Sequence, residues 1–205
     1  MSNVQTLGLR PGDVGFTRIG GNLGWWISLG QALAGDANRF THAFVVLDNG
    51  EVAEAMPSGA RIQPLNRQYS SEVAYVKMNL TDVQRNNLVG HLRARLSRSG
   101  GIRYSFTDYL ALALAHFGIK PKWQREYIAR SDRQICSQLV DYELAYGALE
   151  DLNDPESGYH VFCDGRLPQD VTPGALFFEL LELQDNTVIV VDPTREGAYS
   201  PDVSK

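Results

Sequence analysis

The sequence predicts an α+β domain in which a small antiparallel sheet packs against helices, and three observations carry that prediction. Two short apolar, β-branched runs, Thr41-His42-Ala43-Phe44-Val45-Val46-Leu47 and Glu51-Val52-Ala53-Glu54-Ala55-Met56, flank Asp48-Asn49-Gly50, which has the composition of a hairpin turn. Two capping-box patterns, Thr81 with Gln84 and Ser131 with Gln134, precede residues at helical spacing. The chain has 205 residues, 43% hydrophobic and 21% charged, enough to bury a sizeable core in one compact domain.

In chain order, Gly12-Asp13-Val14-Gly15-Phe16-Thr17 follows a Pro-Gly turn and predicts a first strand. Asn22 can cap a helix over residues 23–33, where the paired Trp25 and Trp26 are read as core ahead of a cleft wall or a lipid-facing surface. Residues 35–39 form a loop into the His42 strand, and strands near 60–65 and 73–78 extend the sheet. The Thr81 box begins a helix to about Ser97. Its Arg93 and Arg95, with Arg98 beyond, suit the C-terminal end of the helix dipole and are expected on a solvated face. After Ser99-Gly100-Gly101, residues 104–109 lead into an Ala/Leu-rich helix, and residues 118–127 form a basic, aromatic connector. The Ser131 box opens a helix carrying Ile135, Leu139, Tyr142 and Tyr146. A loop follows at 151–158. Thr172-Pro173 supplies a cap and a first-position proline, and Thr187-Val188-Ile189-Val190-Val191 a last strand. The expected domain is 1–192, with 193–205 a polar, flexible tail.

A net charge of −5 and a pI near 5.4 argue against nucleic acid as partner. Two cysteines, Cys136 and Cys163, make no disulfide framework, so thiols are expected. No secretory signal is visible at the N-terminus, and no apolar run reaches membrane-spanning length, so a cytoplasmic location is expected.

Cys136 falls in the first or second turn of its predicted helix, where unpaired backbone N–H groups and the positive end of the dipole favour a thiolate. The competing reading is an inert, buried helix cysteine. A nucleophilic cysteine needs a base, and there are four histidines. His91 lies in a basic amphipathic helix and is expected to be solvated; His116 ends the Ala/Leu helix; His160 is a weaker rival. His42 opens an apolar strand. On the next strand Val52, Glu54 and Met56 share a face, and a carboxylate between apolar neighbours needs a partner. A three-residue turn with Gly50 in the left-handed region pairs Phe44 with Glu54 and sets Glu54 diagonal to His42. A two-residue Asn49-Gly50 turn puts them on opposite faces, and the residues allow both.

The order of these parts, a strand with Thr41-His42-Ala43, a strand with Glu54-Ala55, then a distant helix opening Ile135-Cys136-Ser137-Gln138-Leu139-Val140, resembles the circularly permuted papain-like hydrolases of the NlpC type. Ordinary members place the cysteine first; the permuted branch reverses cysteine and histidine. The resemblance runs from about Leu9 to Leu176. It implies Cys136 as nucleophile, His42 as base and Glu54 as the residue orienting the imidazole. It also makes Tyr104 a candidate oxyanion donor, beside the backbone N–H of Cys136. The implied activity is cleavage of an amide bond in a peptide-like, cell-wall-type substrate through an acyl-enzyme, without a cofactor. Hydrolysis or transfer of acyl groups of lipids is the second expectation, since fold does not fix chemistry. A phage or virion machinery could replace an export signal.

Two other readings compete. His42, Cys136, His160 and Cys163 have ligand types that suit zinc, but no pair has the spacing of a zinc motif, and no metal is expected. A catalytically silent binding module would keep Cys136 packed and use Glu54 to satisfy a backbone group.

Overall fold

The computed structural model of the chain describes residues 7–20, 24, 28, 32, 38–56, 58–65, 72–97, 135–162, 171–183, 187–191 and 198–199. Its architecture is α+β. Seven strands, β1 (Val14–Thr17), β2 (His42–Val46), β3 (Glu51–Met56), β4 (Gly59–Pro64), β5 (Val73–Lys77), β6 (Thr187–Val191) and β7 (Ala198–Tyr199), form one sheet in the order β4-β3-β2-β1-β5-β6-β7. Every neighbouring pair is antiparallel. Among the described residues the α-helices with defined ends are α1 (Asp82–Ser97), α2 (Cys136–Tyr142), which runs on into a π turn at Glu143–Gly147, and α3 (Pro173–Glu182). Ala198 and Tyr199, in the segment read from sequence as a tail, pair with Val191 and Val190.

The hairpin joining β2 to β3 settles the register that the sequence left open. Its turn has three residues, Asp48–Gly50, with Asn49 at φ 58° and Gly50 at φ 71°. Asparagine and glycine tolerate this left-handed region. Leu47 N–H then donates to Glu51 O at 2.8 Å, and Phe44 stands opposite Glu54. On β1, Gly15 allows the Phe44 ring to lie against the backbone: a Cβ there would fall 2.1 Å from the ring.

Both faces of the sheet are covered, which is why β2 reads as nearly unbroken apolar sequence. Val14, Phe16, Ala43, Val45, Ala53 and Val76 pack with Leu88 and Leu92 of α1, Leu139 and Val140 of α2, and Leu176 and Leu180 of α3. Alternate residues Phe44, Val46, Val52, Val73 and Tyr75 pack with Leu9 and Leu65. Phe177 of α3 meets Phe16 and Phe40 edge-on, with ring centroids 5.1 and 4.8 Å apart. Both predicted N-termini of α1 and α3 form as read. Thr81 and Gln84 exchange reciprocal capping bonds of 3.1 and 3.2 Å, and Thr172 Oγ1 accepts from Ala175 N–H at 3.1 Å, with Pro173 next.

The arginines at the end of α1 are not a solvated face. Arg93 bridges Asp48 and, at 2.7 Å, Glu51, and so ties α1 to the hairpin. Arg95 pairs with Glu143, which is fully buried in the π turn. His91, expected to be solvated, is half-buried with Nδ1 2.7 Å from the other oxygen of Glu143. The fold lays this helix face against acidic groups 42 to 52 residues away, a contact that helical periodicity does not encode.

A buried charge network fastens the start of α1 to β1. Arg85, 5% exposed, donates from Nη1 to Asp13 Oδ1 at 3.1 Å and from Nε to Leu80 O at 3.3 Å, and reaches Pro11 O and Met78 O. Asp13 also accepts from the N–H groups of Arg10 at 2.8 Å and Met78 at 3.2 Å. Each nitrogen of the guanidinium and both oxygens of the carboxylate have a partner, the condition under which buried charge is tolerated.

Candidate active site

The site is built where α2 packs against β2 and β3. α2 begins at Cys136, with Ile135 extended (φ −83°, ψ 167°) at its N-cap. Gln138 Oε1 reaches back to Ile135 N–H at 3.0 Å, so the reach-back expected of Gln134 is made four residues later by Gln138. Ser131 and Gln134 lie outside the described residues. Cys136 is therefore the first helical residue, where N–H groups have no intrahelical acceptor and the dipole is positive. Ser137 Oγ donates to Val171 O at 2.7 Å and ties this first turn to the segment entering α3.

His42 and Glu54, both 1% exposed, meet as the three-residue turn requires: His42 Nε2 lies 2.9 Å from Glu54 Oε2. The imidazole N–H must be the donor in that bond, because a carboxylate can only accept. In the neutral ring Nδ1 then carries the lone pair. Nδ1 is buried and no hydrogen bond of strict geometry reaches it among the described residues, yet the Cys136 side chain is close enough to act on the ring by charge and by a looser hydrogen bond. Catalytic hydrogen bonds are often loose until substrate binds. Burial alone would lower the His42 pKa, but the negative charge and hydrogen bonding of Cys136, and then of Glu54, raise it to about 9. Burial would likewise raise Glu54, yet His42 and Arg61 hold it below the usual carboxylate range. Cys136 and Glu54 thus both favour the charged form of the His42 ring.

Two polar partners of Glu54 were missed by sequence reasoning. Arg61 donates to Oε1 from Nε at 2.9 Å and Nη2 at 2.8 Å, and Gln63 Nε2 donates to the same oxygen at 2.5 Å. The available signal was the hairpin register carried one strand further. It pairs Glu54 with Arg61 and Val52 with Gln63, so both side chains share the Glu54 face.

Of the other carboxylates near the turn, Asp48 and Glu51 are engaged by Arg93. His160 Nε2 donates to Pro155 O at 3.0 Å and its ring lies edge-on to Tyr146. Tyr104, His116, Cys163, Trp25, Trp26, the Ala/Leu-rich helix and the 118–127 connector lie outside the described residues. Among the described residues no group of three or more His, Cys, Asp or Glu could hold a metal ion, and no helix is long and apolar enough to cross a membrane.

Comparison with protein-family models and with curated proteins finds no match for this chain.

The His42 geometry carries a pH prediction. A histidine whose folded pKa lies near 9, above its ordinary 6.5, stabilises the fold fully below about 6.5 and loses that contribution as pH rises through about 9. Because the folded pair has already lost the Cys136 proton, its proton count matches that of the unfolded chain near neutrality, and unfolding free energy from denaturant titration is expected to fall mainly above about pH 8, where the unfolded thiol ionises as well. In Cys136→Ala, which removes the largest charge raising the pKa, the fall should begin at lower pH. Identical pH dependence in the two proteins would contradict the coupling.

Proposed function

We propose that this chain is a cysteine hydrolase of the circularly permuted papain-like, NlpC type that cleaves an amide bond of a peptide-like substrate. One observation carries the reading: a cysteine at the first position of a helix acts on a buried histidine whose far nitrogen is held 2.9 Å from a buried glutamate. Nucleophile, base and orienting carboxylate in that relation are the parts of covalent acyl transfer.

In the proposed reaction the Cys136 thiolate attacks the carbonyl carbon. The oxyanion is met by the Cys136 N–H, with Tyr104 the side-chain candidate. Imidazolium His42 gives its Nδ1 proton to the leaving amine as the C–N bond breaks, leaving a thioester. His42 then takes a proton from water as its oxygen attacks the thioester carbonyl; the C–S bond breaks, the carboxylic acid is released and the thiolate–imidazolium pair is restored. Glu54 holds Nε2–H throughout, so the proton is exchanged at Nδ1.

The test is an activity screen of muropeptides beside acyl esters, with Cys136→Ala as the blank. Cys136-dependent release of an amine from a peptide-like substrate is expected. Release of fatty acid with no peptide cleaved would replace the amidase reading with acyl-lipid hydrolysis. No Cys136-dependent product, together with an ordinary iodoacetamide rate at neutral pH, would favour a binding module.

A further inference from the structure

We propose that Arg61 and Gln63 are positioning residues of this site: by occupying Glu54 Oε1 they keep the carboxylate ionised and aim Oε2 at His42, so that the thiolate–imidazolium pair persists into acid pH. The inference rests on the reading of Cys136 and His42 as a catalytic couple and assigns a role outside its three residues.

Glu54 is 1% exposed and its two oxygens divide the work. Oε2 faces His42 Nε2 at 2.9 Å, whereas Oε1 takes three donors, two from Arg61 and one from Gln63. A carboxylate gripped on one oxygen by a fork and an amide cannot rotate without breaking several bonds, so the other oxygen keeps its aim. All three donors come from β4, whose register against β3 is regular from Gly59 to Pro64, so the grip is built on the sheet rather than on a loop. The side chain of Arg61 is 37% exposed while that of Glu54 is 1% exposed, so its charge enters the site from the rim.

The charge count gives the direction. Thiolate, imidazolium and carboxylate sum to −1, and the Arg61 guanidinium brings the cluster to zero. Removing that cation makes every proton in the cluster harder to lose. The Cys136 thiol then ionises at higher pH, and Glu54 protonates sooner on acidification. Gln63 adds no charge and works only through the aim and ionisation of Glu54, so its removal should have the smaller effect. A packing role alone would alter stability and leave the titration in place.

The experiment measures thiolate directly, by ultraviolet difference absorbance between each full-length protein and its Cys136→Ala counterpart across pH. The difference cancels Cys163 and needs no substrate. In the parent chain the thiolate signal should persist below neutral pH. Arg61→Met is expected to move its acid limb up by about one pH unit, Gln63→Met by less, and Arg61→Lys, which keeps the charge, should recover most of the shift. Proteins are compared only where thermal unfolding shows them folded, and Arg61→Lys and Gln63→Met retain volume should Arg61→Met fail to fold. Acid limbs of Arg61→Met and Gln63→Met that coincide with the parent's would overturn the positioning role while leaving the catalytic couple standing. If Arg61→Met does not fold, a Gln63→Met limb that coincides with the parent's does the same. An ordinary thiol titration in the parent would overturn both.

Discussion

Cys136→Ala is expected to abolish hydrolysis, with a loss on the order of 10⁵ to 10⁶ in turnover if the residue is the nucleophile. Cys136 is 1% exposed and belongs to the core cluster, so losing its sulfur should cost about 1 kcal/mol of packing, in addition to the charge it lends to the His42 ring. Circular dichroism should remain close to the parent's. His42→Ala should lose a comparable amount, because it removes the Nδ1 that exchanges the proton with the thiol and the leaving amine. Glu54→Gln should be milder, about 10²- to 10⁴-fold, since it disturbs the tautomer and orientation of His42 rather than the bond-forming group. The Gln amide would also present an N–H₂ to either Arg61 or His42, where the carboxylate now accepts from both. Turnover of any substrate that is unchanged in a folded Cys136→Ala protein would sink the assignment.

The largest loss of stability is expected at Arg85, far in function from the candidate site. Arg85→Met leaves Asp13, 1% exposed, with its carboxylate deprived of the only cation it touches among the described residues. It also strips partners from the carbonyls of Pro11, Met78 and Leu80. Breaking one partner of a buried ion pair costs about 3–5 kcal/mol, a large share of the stability of a domain this size. Burial already pushes the Asp13 pKa up, with the Arg10 N–H and Arg85 opposing it, so the variant should take up a proton at Asp13 and become more acid-tolerant relative to neutral pH. Adding Asp13→Asn should return part of the loss, because the uncompensated charge goes with it. Urea unfolding of the three proteins checks this. A cost below 1 kcal/mol for Arg85→Met would show that the network contributes little.

Much of this fold was legible in the chain because its signals are local. The β-branched runs at 42–46 and 187–191, the Thr81–Gln84 box and the Thr172-Pro173 cap each involve neighbours within four residues, and each forms as read. Cys136, His42 and Glu54 stood out for the same reason: one lies near a helix start, and two are polar residues in otherwise apolar strands. Their relation was not local. Whether His42 and Glu54 share a face depended on one turn residue more or less, and the Leu47 N–H to Glu51 O bond closing a three-residue turn decides it. The helix start at Cys136 depended on Gln138 turning back to Ile135.

The rest only tertiary structure could decide, because it consists of charges brought together across long stretches of chain. Arg85 finds Asp13 72 positions away, Arg95 finds Glu143 48 away, and His91 finds it 52 away; spacing along one helix contains none of these pairs. The arginines of α1 therefore read as a solvated face, since periodicity reports which residues share a side and not what lies opposite. Arg61 and Gln63 sit between the two cases. Their positions follow from strand alternation once the β3–β4 register is known, but their convergence on one oxygen of Glu54 needs the sheet to bring three side chains to a single buried point.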